Sequence, residues 1–544
     1  MKPFTFISGR SPLITTVKHL VRQSFFALLL LGFTTVSPAQ LTWDATVSTA
    51  DGQTDGGGNW TISGSGNNHW WNGTTNVLWI NGESAIFGVG GVAAGNVTIG
   101  SGSVGVTVNN ITFNAPAGYT LTQGSTGRNI TLTGGTITAN TDATISAILT
   151  GSVGLTKAGT ATLTLAGSTS YADTYSGTTT VNEGTLVLNK SAITANGGVS
   201  VPGSLIIGTN TTVRLSKNDQ MITTANLNTA TVTVHGTLDM NGFSDVIGAL
   251  TGEGPVTLGA GTLSAGGNNP STYSGEISGT GGLTKNGGGG TLTLTGASRY
   301  SGATTVSGGT LALSGAASIN NSAIINVAAG ATLDASFLGT VTLSLAAGQT
   351  LSGNGTVNGA AVVGDGATLA PGNNAIGTLT FNTTLALQAA GIATMELNKT
   401  TGLNDVAHAL TNITYGGNLN VANVGGDQTG GETYKLFDAP NFTGAFANIV
   451  LPTLPLGLSW TNTLTVNGSI AVLGTVTPPP PSGLAITNTI LSGTELIISG
   501  SGGTNGDTFS VWSAINVAAA FVNWSTLGGR DVRRRWEFFR DQHR

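Results

Sequence analysis

One sentence of residues is written twice in this chain, and a chain that repeats itself at this length is constrained to stack like units. The first copy runs Gly154-Leu-Thr-Lys157, Ala161-Thr-Leu-Thr-Leu165, Tyr175-Ser-Gly177, Thr179-Thr-Val181 and Gly184-Thr-Leu-Val-Leu188. The second runs Gly282-Leu-Thr-Lys285, Gly290-Thr-Leu-Thr-Leu294, Tyr300-Ser-Gly302, Thr304-Thr-Val306 and Gly309-Thr-Leu-Ala-Leu313. Matched positions lie 128, 129, 125, 125 and 125 residues apart, so a small insertion separates two copies of one unit. In each word leucine alternates with a small or polar residue, the period-two pattern of a half-buried strand.

Related words continue from about residue 120 to 400. Their key leucines are Leu163, Leu186, Leu205, Leu238, Leu263, Leu292, Leu311, Leu333, Leu351 and Leu369, in steps of 18 to 33 residues. Periods in that range predict a coiled stack in which each turn covers its neighbour. The uneven steps are read as loops of varying length on a constant strand core. Leucines one rung apart then stack inside, and Thr, Asn and Ser form ladders outside or at corners. At roughly 22 residues per rung and ~4.8 Å between rungs, the shaft reaches about 90 Å.

The repeated sentence resembles the autotransporter-associated β-strand repeat family. The resemblance implies an exported bacterial protein with a right-handed parallel β-helical shaft. Leu351-Ser-Gly-Asn-Gly-Thr-Val357, Leu369-Ala-Pro-Gly-Asn-Asn374 and Gly377-Thr-Leu-Thr-Phe381 resemble the stretch that closes the repeat region in such proteins. Autotransporter members end in a membrane barrel of at least eight strands. The 63 residues after Pro481 leave no room for one, so transport by this polypeptide itself is not expected.

Composition agrees with a long solenoid. The chain has 84 glycines and no cysteine, and only 8% of its residues are charged, yet 39% are hydrophobic. Here glycine punctuates strands, and the apolar content excludes a disordered linker. Disulfides and thiolate metal sites are excluded outright. Residues 40–529 hold nine basic and twenty-one acidic residues, too sparse and too acidic to neutralise a run of phosphates. Nucleic acid is excluded as a partner.

The chain divides on pattern. Residues 1–39 read as a secretory signal peptide, with Lys2, Arg10, Lys18 and Arg22 before the apolar run Phe25–Phe33 and small residues at Ser37-Pro-Ala39. This places the protein outside the cell or on its surface through the Sec pathway, with no transmembrane span once the signal is removed. Residues 40–115 form a Trp-rich N-terminal cap and first rungs, 116–400 the repeat solenoid, and 401–475 the C-terminal rungs and cap. Residues 476–482 are a Pro-rich linker, and 483–529 a small, incomplete β module. The charged tail 530–544 departs abruptly from the Gly/Thr/Asn idiom and is read as a slip of reading frame near Gly529. The fold class is all-β: a right-handed parallel β-helix with capping ends and a small C-terminal β module.

No motif for chemistry stands out. The acidic residues are scattered, although Asp239 and Asp245 are close enough in sequence to share a face. Asp51–Gly56 begins like a calcium loop, but its twelfth position is Ile62 where a bidentate Glu is needed. His69, His235 and His408 lie in no nucleophile elbow or zinc motif. No catalytic, cofactor-binding or metal residue is therefore assigned. The one candidate contact for sugar is Trp70 with Trp71, although adjacent strand residues point to opposite faces. The leading reading is an exported, noncatalytic surface or matrix protein of adhesin type, contacting extracellular polysaccharide or cell surfaces. The alternatives are a carbohydrate-binding protein using the Trp-rich region, and a β-helical polysaccharide-active enzyme.

Overall fold

The computed structural model describes residues 39–475, apart from 49–51, 65–66, 92, 101–104, 125–126, 168–171, 192–198, 223–225 and 340–341; beyond 475 it describes the backbone of five strands. The expected signal peptide and Pro-rich linker lie outside the described residues, as do the side chains of the small module and the charged tail. The module's strands pair antiparallel, Ala485–Ser492 with Glu495–Ser501 and Thr508–Ser513 with Ser525–Asp531. Trp536–Asp541, within the charged tail, pairs antiparallel with Glu495–Ser501.

Short strands follow one another around three faces, and each pairs in parallel with the strand one turn on. Face one is a 19-stranded sheet whose parallel ladder runs from Gln40–Trp43 to Phe437–Asp438. Face two is a 10-stranded sheet from Gly58–Trp60 to Ile277–Ser278, resumed by five strands from Thr342–Leu345 to Asn441–Gly444. Face three begins with three strands between Val106–Val108 and Leu149–Thr150, and resumes from Asp245–Ile247 to Asn448–Val450. This is the parallel solenoid that the repeats predict.

Each repeat spans two turns. Leu155 pairs with Thr179, and Leu163 with Leu186; in the second copy Leu283 pairs with Thr304, and Leu292 with Leu311. The second copy is turned by one face. Leu155–Ala158 lies on face one, whereas its counterpart Leu283–Lys285 lies on face three. Alternation fixes which residues point inward, but it carries no label for the face. This corrects the reading of the uneven leucine steps. Leu163 to Leu186 and Leu292 to Leu311 are true rung steps, but Leu205 and Leu238 belong to different faces. The 33-residue step therefore records a change of face as well as loop length.

The words also bury polar groups. Lys157 is fully buried, and its Nζ donates to the carbonyls of Ala158 and, one turn on, Glu183, both at 3.0 Å. Lys285 repeats the device on Asn286 at 2.8 Å and Gly308 at 3.1 Å. Tyr175 and Tyr300 each place their hydroxyl 2.6 Å from a buried threonine, Thr179 and Thr304. Corner carbonyls that no strand reaches are thus satisfied from inside. Gly184 and Gly309 turn these corners with φ of 65° and 64°, and a Cβ at either would meet a backbone carbonyl at 2.6 Å.

Between Thr150 and Asp245 face three has no regular strand among the described residues; backbone bonds such as Asp173 N–H to the Val199 carbonyl at 2.8 Å still join its turns, and buried side chains supplement them. The Asp173 carboxylate accepts from the Leu149 N–H at 2.7 Å. Gln220 accepts from the Lys190 N–H and donates to the Lys190 carbonyl, both at 2.7 Å. Asp245 accepts from the N–H groups of Gln220 at 2.8 Å and Met221 at 3.1 Å.

At the first turn, Thr42 and Trp43 pair antiparallel with Trp71 and Trp70, and Trp70 in turn with Val77. This hairpin occupies the outer edge of Gln40–Trp43, which is otherwise open for pairing. At the far end, Thr433–Lys435, Leu458–Thr463 and Ser469–Gly474 form an antiparallel sheet.

Leu292 is 2% exposed and lies between Ser271 and Leu311 of the neighbouring turns. Leu292→Asp is expected to destabilise the shaft by roughly 3–5 kcal/mol, read as a lower urea midpoint, because an unpaired charge enters the core. A pH dependence follows from the buried carboxyls. Burial pushes Asp245 up to about 8 and Asp405 up to about 7, from an ordinary 3.8. Each folded carboxyl holds its proton more tightly than the unfolded one. Their contribution is therefore complete below about pH 4 and is lost as pH rises through 7 to 8. Lys157, pushed down to about 8 by burial, adds no slope below that value. The urea midpoint is expected to be higher at pH 5 than at pH 8.

Candidate functional site on the outward ladders

Because strands alternate, each face has an outward column one residue away from its leucines. On face one Thr291, Thr310, Thr332, Thr356 and Thr380 follow in register on successive turns, then His408 and Asp438. These five threonines are half-buried, each screened by its neighbours above and below. Elsewhere hydroxyls and amides link turns directly: Thr131 to Thr150 at 2.9 Å, Thr233 to Thr251 at 3.0 Å, and Asn140 to Asn114 at 2.9 Å. The result is a set of flat, nearly neutral stripes of hydroxyl, methyl and amide groups.

Some of the charged side chains on these faces are paired across a turn. Arg214 meets Asp239 at 2.6 Å, His235 meets Glu253 at 2.9 Å, and His408 meets Asp438 at 2.9 Å with Lys435 on the other carboxylate oxygen. Asp438 is held below the usual carboxylate range, chiefly by its hydrogen bond from Lys435. Such pairs hold register and contribute about 1 kcal/mol or less each.

The structure separates the residues that sequence placed together. Asp239 is on the outside of face two, whereas Asp245 is buried on face three, so they do not form a carboxylate pair. Asp55 of the calcium-like loop is committed to the Val89 and Gly91 N–H groups and to Tyr119 Oη at 2.7 Å. His69 stacks on Trp43 at 5.0 Å, with Nδ1 2.9 Å from the Asp44 carbonyl. Among the described residues no group of three or more His, Asp or Glu is placed to hold a metal ion. Shallow clefts interrupt the stripes among the described residues. One of about 330 Å³ lies beside Ala317, Ile319 and Leu343, and one of about 360 Å³ beside Asn210, Thr212 and His235.

Trp70 and Trp71 part company as strand geometry requires. Trp70 is fully buried, its ring 4.6 Å from Trp79, 5.0 Å from Trp60 and 5.3 Å from Trp43. Trp71 points the other way and is half-buried. In this arrangement a sugar ring could reach only Trp71. The residues that sequence reasoning passed over are the buried Lys157, Lys285, Tyr175 and Tyr300. Their signal was present: each recurs at the matched place of both copies. Trp70→Ala is expected to cost about 3–5 kcal/mol by urea denaturation, against less than about 1 kcal/mol for Trp71→Ala.

Residues 155–188 and 283–313 each match the passenger-associated-transport-repeat family. The chain is also similar to the adhesin BmaC autotransporter of Brucella suis biovar 1 (strain 1330), with 42% identity over 91 residues. That match covers 16% of this chain and 2% of the adhesin, so the likeness is to one stretch of a far longer protein. Two stretches of this chain thus carry the passenger-associated-transport repeat, each built as consecutive turns of a parallel solenoid.

Proposed function

We propose that this protein is an exported, noncatalytic β-solenoid that acts as an adhesin-type component at the cell surface or in the extracellular matrix. The observation that carries the reading is the continuous outward threonine column of face one, with no catalytic group assembled beside it among the described residues. A repeat shared with autotransporter passengers and a matched stretch in an adhesin support the same reading. Residues 1–39, with the pattern of a Sec signal, support export. The mechanism is multivalent: many weak contacts along a rigid stack add up because the first contact holds the rest at high local concentration.

Beads coated with the purified chain are expected to be retained on cell or matrix surfaces. Retention should change by less than about threefold between roughly 0.05 and 0.5 M NaCl, because salt screens ionic contacts but not neutral ones. No retention, or retention abolished by salt, would sink the adhesin reading. The same chain incubated with a panel of polysaccharides is expected to release no new reducing or unsaturated ends, and their release would overturn the noncatalytic reading.

A further inference from the structure

Three described lysines are fully or almost fully buried, and they are not alike. Lys157 and Lys285 give their ammonium protons to corner carbonyls. Lys190 instead places Nζ 3.0 Å from Asp173 Oδ1, with both side chains completely shielded from water. Asp173 lies in the irregular part of face three, and Lys190 ends the face-two strand Thr185–Lys190 of the next turn. Lys190 Nζ also lies 3.4 Å from the Ala147 carbonyl. The two oxygens of Asp173 differ. Oδ1 accepts the Leu149 N–H at 2.7 Å, whereas Oδ2 is buried with no hydrogen-bond partner.

An amine and a carboxyl in contact inside an apolar core have the geometry for condensation. We propose that Lys190 and Asp173 form an intramolecular isopeptide bond that joins two turns of the solenoid covalently. In the dry interior the ion pair relaxes to its neutral form by proton transfer from Nζ to the unpartnered Oδ2. The neutral amine, held 3.0 Å from Oδ1 of the same carboxyl, then attacks Cγ. Negative charge developing on Oδ1 is met by the Leu149 N–H, a fixed donor on the oxygen that remains as the amide carbonyl. The Cγ–N bond forms and the Cγ–Oδ2 bond breaks. Oδ2 leaves as water with its own proton and one from the amine. No oxidant or external reactant is needed. Burial of Asp173 raises its carboxyl to about 6, which favours the protonated acid that the step consumes. The product removes the buried charges and gives a chain with no cysteine a covalent tie between turns.

The test is mass spectrometry of the purified, denatured wild-type chain, which requires no folded variant. The expected mass is lower than the sequence mass by one water, about 18 Da. Trypsin does not cut at an acylated lysine, so it should yield one peptide, 158–214, lighter by the same amount. Further cleavage after Glu183 should convert that peptide to a branched pair rather than two free pieces. Lys190→Arg should restore the full mass; a water loss that persists in that variant points to dehydration elsewhere and overturns the proposal. Full mass in the wild-type chain, with normal cleavage after Lys190, overturns it as well.

Discussion

Everything in this structure depends on the parallel hydrogen-bond ladder between one turn and the next. A strand of three or four residues is not stable alone; here it is held because the same two or three backbone bonds are made again above and below it. The ladder demands that every turn offer donors and acceptors in register. Where it cannot, at corners and along the interrupted part of face three, unpaired backbone groups would be left in a dry interior. The chain meets that demand with inward Lys, Tyr, Thr, Gln and Asp side chains. The solenoid core is therefore a leucine stack with polar inserts at defined depths, each aimed at a backbone group the ladder misses.

The same requirement explains why one sentence of sequence can occupy different faces. A repeat word specifies inward and outward alternation, a corner glycine with positive φ, and a lysine or tyrosine that fills the corner. All three faces offer the same environment to such a word. When the intervening segment changes length, the next copy resumes one face earlier with no loss of pairing. The outward surface inherits this neutrality. It is a set of threonine, serine and asparagine columns with few charged groups, some of them paired across a turn, a surface suited to repeated weak contact.

Much of this was legible in the residues. Period-two leucines announced strands, the duplicated sentence announced stacking, and the scarcity of charge announced the neutral faces. The opposite fates of Trp70 and Trp71 follow from strand alternation alone. The buried lysines were legible too, since Lys157 and Lys285 sit two residues after an inward leucine in both copies. A lysine is nonetheless read as solvent-facing until carbonyls are seen to surround it. Asp239 and Asp245 show the converse limit. Six residues apart in a solenoid is enough to turn a corner, and a corner separates an exposed ion pair from a buried carboxylate.

The sequence by itself determined the architecture and the repeat, because these rest on local alternation and composition. Only the tertiary structure decided which face each word occupies, which turns are neighbours, and which buried lysine meets a carboxylate. Those outcomes depend on the summed lengths of all preceding loops. Contact between Lys190 and Asp173 arises because two turns of particular length bring them to one depth of the core, and no local pattern encodes that sum.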